Sequence, residues 1–282
     1  MRKGIPALLL TLSLLLCGCR LLPERIPPAG LTVHFLDVGQ ADCALLESGG
    51  EYMLIDGGNR EDGRLVVSYL EQQGVEELAA VVCTHAHEDH VGGLPSVLAV
   101  YPTHAVYAPT RTYASRVFDD FVYYADQQRL DITIPSPGDG WTLGETSVTV
   151  LGPVQSYADQ NDTSIVLSVR YGGTSFLFTG DMETAAENDM LDYWGSRMSW
   201  KADVLKVGHH GSKTSSTEAF LNAVHPEIAV IEVGADNSYG HPSQKVLDRL
   251  DALGSRVYRT DISGNIVLTT DGDTIDAVTE KD

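Results

Sequence analysis

The stretch Thr84-His85-Ala86-His87-Glu88-Asp89-His90-Val91-Gly92-Gly93 decides how the rest of the chain is read. It follows the apolar run Leu78-Ala79-Ala80-Val81-Val82-Cys83, whose small and β-branched residues predict a buried strand. The cluster therefore falls where a strand ends and a loop begins. Two imidazoles at i and i+2 of an extended loop, His85 and His87, can turn toward one ion. Asp89 and His90 can then reach a second ion beside it. Imidazole suits zinc, iron and manganese, and a carboxylate bridges or completes the shell. The chain holds nine histidines in 282 residues, so three within six positions argue against a chance surface cluster.

Further motifs follow in order: Thr179-Gly180-Asp181, Leu205-Lys206-Val207-Gly208-His209-His210-Gly211-Ser212, and Tyr239-Gly240-His241-Pro242. The His-x-His-x-Asp-His pattern resembles the signature of the metallo-β-lactamase superfamily. The whole ordered set resembles the hydrolase domain of the ComEC competence family, over roughly residues 31 to 270. This resemblance implies a four-layer αββα sandwich with metal ligands at one edge. It implies two divalent metal ions, zinc or manganese. His85, His87 and His209 would hold one, and Asp89, His90 and Asp181 would hold or share the other, with Asp181 as the bridge. His210 is the register alternative to His209. The Asp56-Gly57-Gly58 turn would lie under the site, with Asp56 orienting a ligand histidine. Many superfamily members carry a further histidine near residues 160–167. This chain has Asn161-Asp162 there, so Asn161 or Asp162 is expected near the metals instead.

The start of the chain reads as a leader. Arg2 and Lys3 precede the apolar run Ala7 to Leu16, which is shorter than a typical spanning helix. Leu16-Cys17-Gly18-Cys19 resembles a bacterial lipobox, although Cys17 is an unusual occupant. Residues 1–19 are therefore expected to be a lipoprotein signal, with lipid on Cys19 as a membrane anchor outside the cytoplasm. A plain secretory signal is the alternative. Residues 20–30, with Pro27-Pro28, form a linker, and 31–282 the hydrolase domain. Cys43 and Cys83 read as small buried hydrophobes, and a disulfide between them stays open in an oxidising compartment. Lys and Arg number 19 against 39 Asp and Glu, a net charge of −20. That weighs against broad wrapping of nucleic acid, which needs a basic surface, but not against a local groove.

Elsewhere, alternation predicts strands over Leu31 to Val38 and Tyr52 to Ile55, and the spacing of Leu65, Val66, Tyr69 and Leu70 predicts a helix from Gly63 to Gln73. Further helices are expected over Leu94 to Val100, Ala114 to Leu130, Met182 to Leu191 and Ser243 to Leu253. His34 and His104 are read as structural, His225 as part of a surface turn. The Asp37 to Asp42 turn is expected near the metal edge. Asp181 could also cap the helix that follows it.

The resulting expectation is a metal-dependent hydrolase of phosphodiesters, most concretely DNA outside the cytoplasm. Such ions bring a bound water to near-neutral pKa and neutralise phosphate charge. Asp89 could accept the proton, and His241 or Lys213 could assist the leaving oxygen. His241 could equally hold a phosphate or ligate a metal. The rivals are hydrolysis of another ester, a lactone or a β-lactam, and a non-catalytic module that binds DNA or an envelope ligand.

Overall fold

In the strands that open the chain, successive residues go to different cores. Leu31, Val33 and Phe35 face one apolar cluster together with Ala44, Leu46, Met53, Ile55, Ala80 and Val82. The residues between them, Leu45, Leu54 and Val81, face another. Period-two alternation with both faces apolar is what a sheet covered on both sides requires. The structure, a computed structural model, describes residue 1 and residues 30–281. Cys19 and most of the expected leader and linker lie outside the described residues.

Among these residues, two sheets form the centre. The first runs in the spatial order Ile275–Thr279, Ile266–Thr270, Leu31–Phe35, Ala44–Ser48, Glu51–Ile55, Ala80–Val82, Val106–Tyr107, Ile132–Thr133. The second runs Arg256–Arg259, Ile228–Ile231, Val204–Lys206, Thr174–Phe178, Val166–Tyr171, Thr146–Gly152, Gly140–Leu143. Each sheet is antiparallel on one side and parallel on the other. The parallel pairs begin at Glu51–Ile55 with Ala80–Val82, and at Thr174–Phe178 with Val204–Lys206. The inner faces meet in one core, where Phe35 stacks on Phe178 with centroids 5.8 Å apart.

Helices cover both outer faces. Gly63–Gln73, Leu94–Val100 and Arg116–Gln127 lie on the first sheet, and Thr184–Trp194, Glu218–Val224 and Gln244–Ala252 on the second. This is the expected αββα sandwich. Gly74 ends the first helix in a left-handed conformation, φ 76°, as a helix-stopping glycine does. Among the described residues, no helix is long and apolar enough to cross a membrane.

Some expected boundaries move. The helix after Asp181 spans Thr184–Trp194, and Asp162 rather than Asp181 caps its start, accepting the backbone N–H groups of Glu183 (3.0 Å) and Ala186 (3.4 Å). Beyond the Leu94–Val100 helix the strand is short, Val106–Tyr107, and Thr103 makes only an isolated bridge to Leu78. His34 is buried in its strand, with Nδ1 2.9 Å from the Tyr69 hydroxyl. His104 is on the surface near Glu77, and His225 is a left-handed helix cap. Cys43 and Cys83 are both buried free thiols.

Candidate metal centre

Five strand ends build the site, all from the parallel halves of the two sheets. Ile55 delivers Asp56, Val82 delivers the histidine stretch, Phe178 delivers Asp181, Lys206 delivers His209-His210 and Ile231 delivers Glu232. Carboxyl ends of parallel strands are the open crevice of such sheets, because the covering helices start there. The turn after His90 must double back at once. Gly57 donates its N–H to the His90 carbonyl at 2.7 Å, and Gly93 donates to the Gly58 carbonyl at 3.2 Å. A Cβ on Gly93 would sit 2.0 Å from the Gly57 oxygen, so only glycine permits this contact.

Asp89, His90, Asp181 and His210 present donor atoms that all lie within 4.8 Å of one another. His90 Nε2 is 3.3 Å from Asp181 Oδ1, and His210 Nε2 is 3.3 Å from Asp89 Oδ2 and 3.7 Å from Asp181 Oδ2. The far nitrogen of each ring is anchored elsewhere. His90 Nδ1 lies 2.8 Å from Asp56 Oδ2, and His210 Nδ1 lies 2.9 Å from the Glu232 carbonyl oxygen. Asp56 in turn accepts the backbone N–H (2.7 Å) and hydroxyl (2.6 Å) of Thr84. A ring fixed at Nδ1 with Nε2 turned inward is the arrangement that orients a histidine for a metal. Two of the inward atoms, His90 Nε2 and Asp181 Oδ1, are buried with no hydrogen-bond partner. A divalent cation satisfies such atoms, so the residues fit one. A second acidic group, Asp42, Asp56 and His90, is also compact. Its oxygens already face Lys206, Thr84 and His90 Nδ1, so it supports the centre from below.

His85 and His87 form the other side. His85 is buried, and its Nε2 lies 3.1 Å from His87 Nδ1. Two imidazole nitrogens facing each other at that separation can share one ion. The His85 and His90 rings pass at 4.1 Å between centroids, so the two sides are contiguous.

The pair His209-His210 takes a conformation that sequence could not show. His209 (φ 50°), His210 (φ 53°) and Gly211 (φ 82°) are left-handed in succession, which costs a non-glycine residue on the order of 1–3 kcal/mol. The turn is held by His209 N–H to the Gly180 carbonyl (3.1 Å) and Ser212 N–H to the His209 carbonyl (2.8 Å). It sends His210 inward, 2% exposed, and leaves His209 at 23%. His210 thus joins the tight group. His209 stands at its rim, Nε2 3.7 Å from Asp181 Oδ2 and Nδ1 3.0 Å from Glu183 Oε1. Glu183 also accepts from Asn161 Nδ2 (3.3 Å) and the Thr214 hydroxyl (2.8 Å). Asn161 is therefore tied to the rim, its Oδ1 buried without a partner, while Asp162 serves the helix cap. His241 stands near His209, with ring centroids 5.5 Å apart, and its Nδ1 lacks a partner. Lys213 is exposed on the loop beyond.

Electrostatics follow from burial and close packing. Burial pushes the Asp181 carboxyl up, but His90 and His210 outweigh it and hold it well below its usual value. Burial also opposes charge on His210, yet Asp181 and Asp42 raise it to about 10. His85, by contrast, is driven down by burial. Burial together with His209 and His210 takes His241 down to about 4. Four carboxylates drawn to one point thus attract positive charge of any kind. A divalent ion competes there with the protons on His90 and His210.

Three supporting groups escaped the sequence reading. Lys206 is buried, paired with Asp42, and donates to the Gly180 carbonyl at 3.2 Å. Glu232 accepts the Cys43 N–H at 2.8 Å, and burial beside Asp42 raises its carboxyl to about 8. Glu183 gathers the rim. A signal for the first two existed: each is a charged residue inside an apolar strand run, where an unpaired charge is prohibitively costly.

Residues 36–234 match the family described as the metallo-beta-lactamase superfamily. The chain is 32% identical over 254 residues to ComE operon protein 3 of Bacillus subtilis, covering 83% of this chain and 32% of that protein. It is 33% identical over 244 residues to competence protein ComA of Neisseria gonorrhoeae, covering 86% and 33%. With recombination protein 2 of Haemophilus influenzae the identity is 33% over 260 residues, covering 90% and 30%. The chain thus spans about a third of the length of these relatives. Among solved structures, the diiron beta-hydroxylase CmlA from Streptomyces venezuelae superposes with a TM-score of 0.58 at 15% identity, covering 86% of this chain and 55% of CmlA. The metallo-beta-lactamase fold protein YhfI from Bacillus subtilis gives 0.56 at 13%, covering 86% and 100%. These two likenesses concern the fold. From its histidine stretch, its layers and this match, the chain belongs to the metallo-β-lactamase superfamily, and its similarity to the competence proteins extends over most of its length.

Proposed function

We propose that this protein is a metal-dependent phosphodiesterase that cleaves DNA outside the cytoplasm. The observation that carries the reading is the convergence of Asp89, His90, Asp181 and His210 beside the His85–His87 pair, with inward atoms left unpartnered. The relatives named for competence and recombination support DNA as the polymer.

His85 and His87 would hold one divalent ion, and Asp89, His90 and His210 the other, with Asp181 shared and His209 steadying its outer oxygen. Zinc and manganese both suit this mixed imidazole and carboxylate set. Bound there, such ions supply activated water and neutralise the phosphate charge. The residues do the rest. Asp89, 31% exposed, is the carboxylate of the group that opens to solvent and can take a proton from the attacking water. His241 is a half-buried, neutral imidazole near His209 and can offer a ring N–H to the leaving oxygen. Lys213 adds positive charge for an approaching phosphate. The anchor on Cys19 belongs to the same proposal; incorporation of a labelled fatty acid that is lost in Cys19→Ser tests it.

The test loads the full chain, in mild detergent, with manganese or zinc and offers labelled single- and double-stranded DNA. Metal-dependent cleavage that disappears in the Asp89→Ala/His90→Ala variant is expected. Protein that binds two ions yet leaves every DNA intact sinks the DNA assignment. Protein that binds no metal is better described as a binding module.

A further inference from the structure

Three neighbouring cavities with shared lining residues lie on the His87 side of the centre. One cavity of about 450 Å³ is lined by Arg60, Pro95, Val100 and Arg116 among others. It shares Arg60, Arg116 and Val117 with a second, of about 300 Å³, whose wall includes His87 and Tyr113. Tyr113 also borders a third, of about 570 Å³, lined by Arg111. Three guanidinium groups thus line these adjoining cavities in a chain of net charge −20. Arg60 meets Asp120 at 3.2 Å, but Arg60 is exposed and Asp120 partly so, and such a pair is weak enough to yield to a phosphate. Arg111 is steadied by donation from Nε to the Ile132 carbonyl at 2.8 Å.

Two aromatic rings stand on either side of the metal edge. Tyr113 is edge-on to His87 at 6.3 Å and to Phe118 at 6.1 Å, so its ring is fixed by the core. Across the centre, Tyr239 is 71% exposed and nearly parallel to the His241 ring, 5.7 Å away with planes 21° apart. Its loop is not slack. The backbone N–H groups of Tyr239 (3.2 Å) and His241 (3.0 Å) both donate to Asn237 Oδ1, and Asn237 Nδ2 donates to the His241 carbonyl at 2.6 Å. A large aromatic ring held out in water by a pinned loop is poised to stack.

We infer that these cavities bind single-stranded DNA: Arg60, Arg116 and Arg111 hold successive backbone phosphates, and Tyr113 and Tyr239 stack bases on opposite sides of the phosphate at the metal edge. The inference rests on the phosphodiesterase reading and names its substrate class. Cationic grooves interleaved with aromatic platforms are how single strands are held, since every unpaired base offers a π face. A duplex keeps those faces stacked inside. It also brings two phosphate rows to a chain of net charge −20. Glu88, Asp119 and Asp120 line the same cavities, so the attraction is local to the guanidinium groups.

The test measures binding of a fluorescent single-stranded oligonucleotide and its duplex to the full chain by anisotropy, in EDTA so that nothing is cleaved. In parallel, the manganese-loaded chain is given bis(4-nitrophenyl) phosphate, a diester without bases. Single strand is expected to bind at least about tenfold tighter than duplex, and Tyr239→Ala to lose about five- to tenfold of that affinity. Arg60→Gln/Arg116→Gln is expected to lower the slope of log affinity against log salt by about 1.4, the loss of two phosphate contacts on a single strand. Equal binding of duplex and single strand, or unchanged affinity in both variants, overturns the groove. If the small diester is hydrolysed while either of those results holds, the groove fails and the phosphodiesterase reading stands. If single strand binds and the variants weaken it, yet no diester is cleaved, the groove stands and the chemistry fails. Tyr239 is a surface residue, so its variant keeps the test open should the arginine variant misfold.

Discussion

The two sides of the metal edge are built differently. On the Asp89–His90–Asp181–His210 side, donors come from both sheets, each ring is anchored through Nδ1, and Lys206 lies beneath as a buried counter-charge. On the His85–His87 side, two rings from one loop face each other, and the cavities bordered by Tyr113 begin. Asn161, expected with Asp162 as a candidate near the metals, is tied to Glu183. The first side is a rigid, charge-compensated socket and the second a two-nitrogen rim. Rigidity and negative charge both favour tight cation binding, so the two sides should differ in affinity.

The largest effect belongs to the socket. Asp181→Ala removes the carboxylate proposed to serve both sides, and activity should fall on the order of 10³-fold or more, with metal content falling beside it. Metal analysis of the purified variant checks this; full metal content would break the comparison. His210→Ala should behave similarly. His209→Ala, which removes a ring at the rim, should cost about 10–100-fold. Equal losses from the two would place both histidines in the same role.

Lys206 tests the compensation. Lys206→Met leaves Asp42 buried without its partner and should cost about 3–5 kcal/mol, read from denaturant unfolding. Removing both charges, in Lys206→Met/Asp42→Asn, should cost less than the sum of the single changes. Additive losses would show that the pair does not act as a unit.

A titration titrates the first sheet away from the metal edge. His34 is buried, and its imidazole is pushed down from 6.5 to about 4. The unfolded chain therefore takes up the proton first. Stability is complete above pH 6.5 and is lost as pH falls toward 4, by about 3 kcal/mol for a shift of this size. His34→Gln should flatten that part of the pH–stability curve, whereas an unchanged slope would assign the loss to other groups.

Chelator competition gives the smallest effect and the sharpest reading of the asymmetry. Two ions should leave in separate steps, the rim first, with dissociation constants differing by about tenfold or more, or about 1.4 kcal/mol. A single step would show that the sides are equivalent.

Much of this was legible in the chain. The strand before His85, the histidine spacing, the helix-stopping Gly74 and the ordered motifs at Asp181, His209-His210 and His241 are local signals, set by side-chain periodicity and glycine geometry. They placed the sandwich and brought His85, His87, Asp89, His90 and Asp181 to one edge. What the sequence could not decide depended on direction and distance across the fold. Whether His209 or His210 turns inward follows from three successive left-handed residues, held by Gly180 from one strand end and Glu232 from another. Asp162 became a helix cap and Asn161 a rim contact because Glu183 stands between them and the centre. Lys206, Asp42 and Glu232 meet only when both sheets are in place. Local chemistry determined which residue types could make a metal site, and tertiary packing alone decided which atoms face it, because orientation and counter-charge come from residues far apart in the chain.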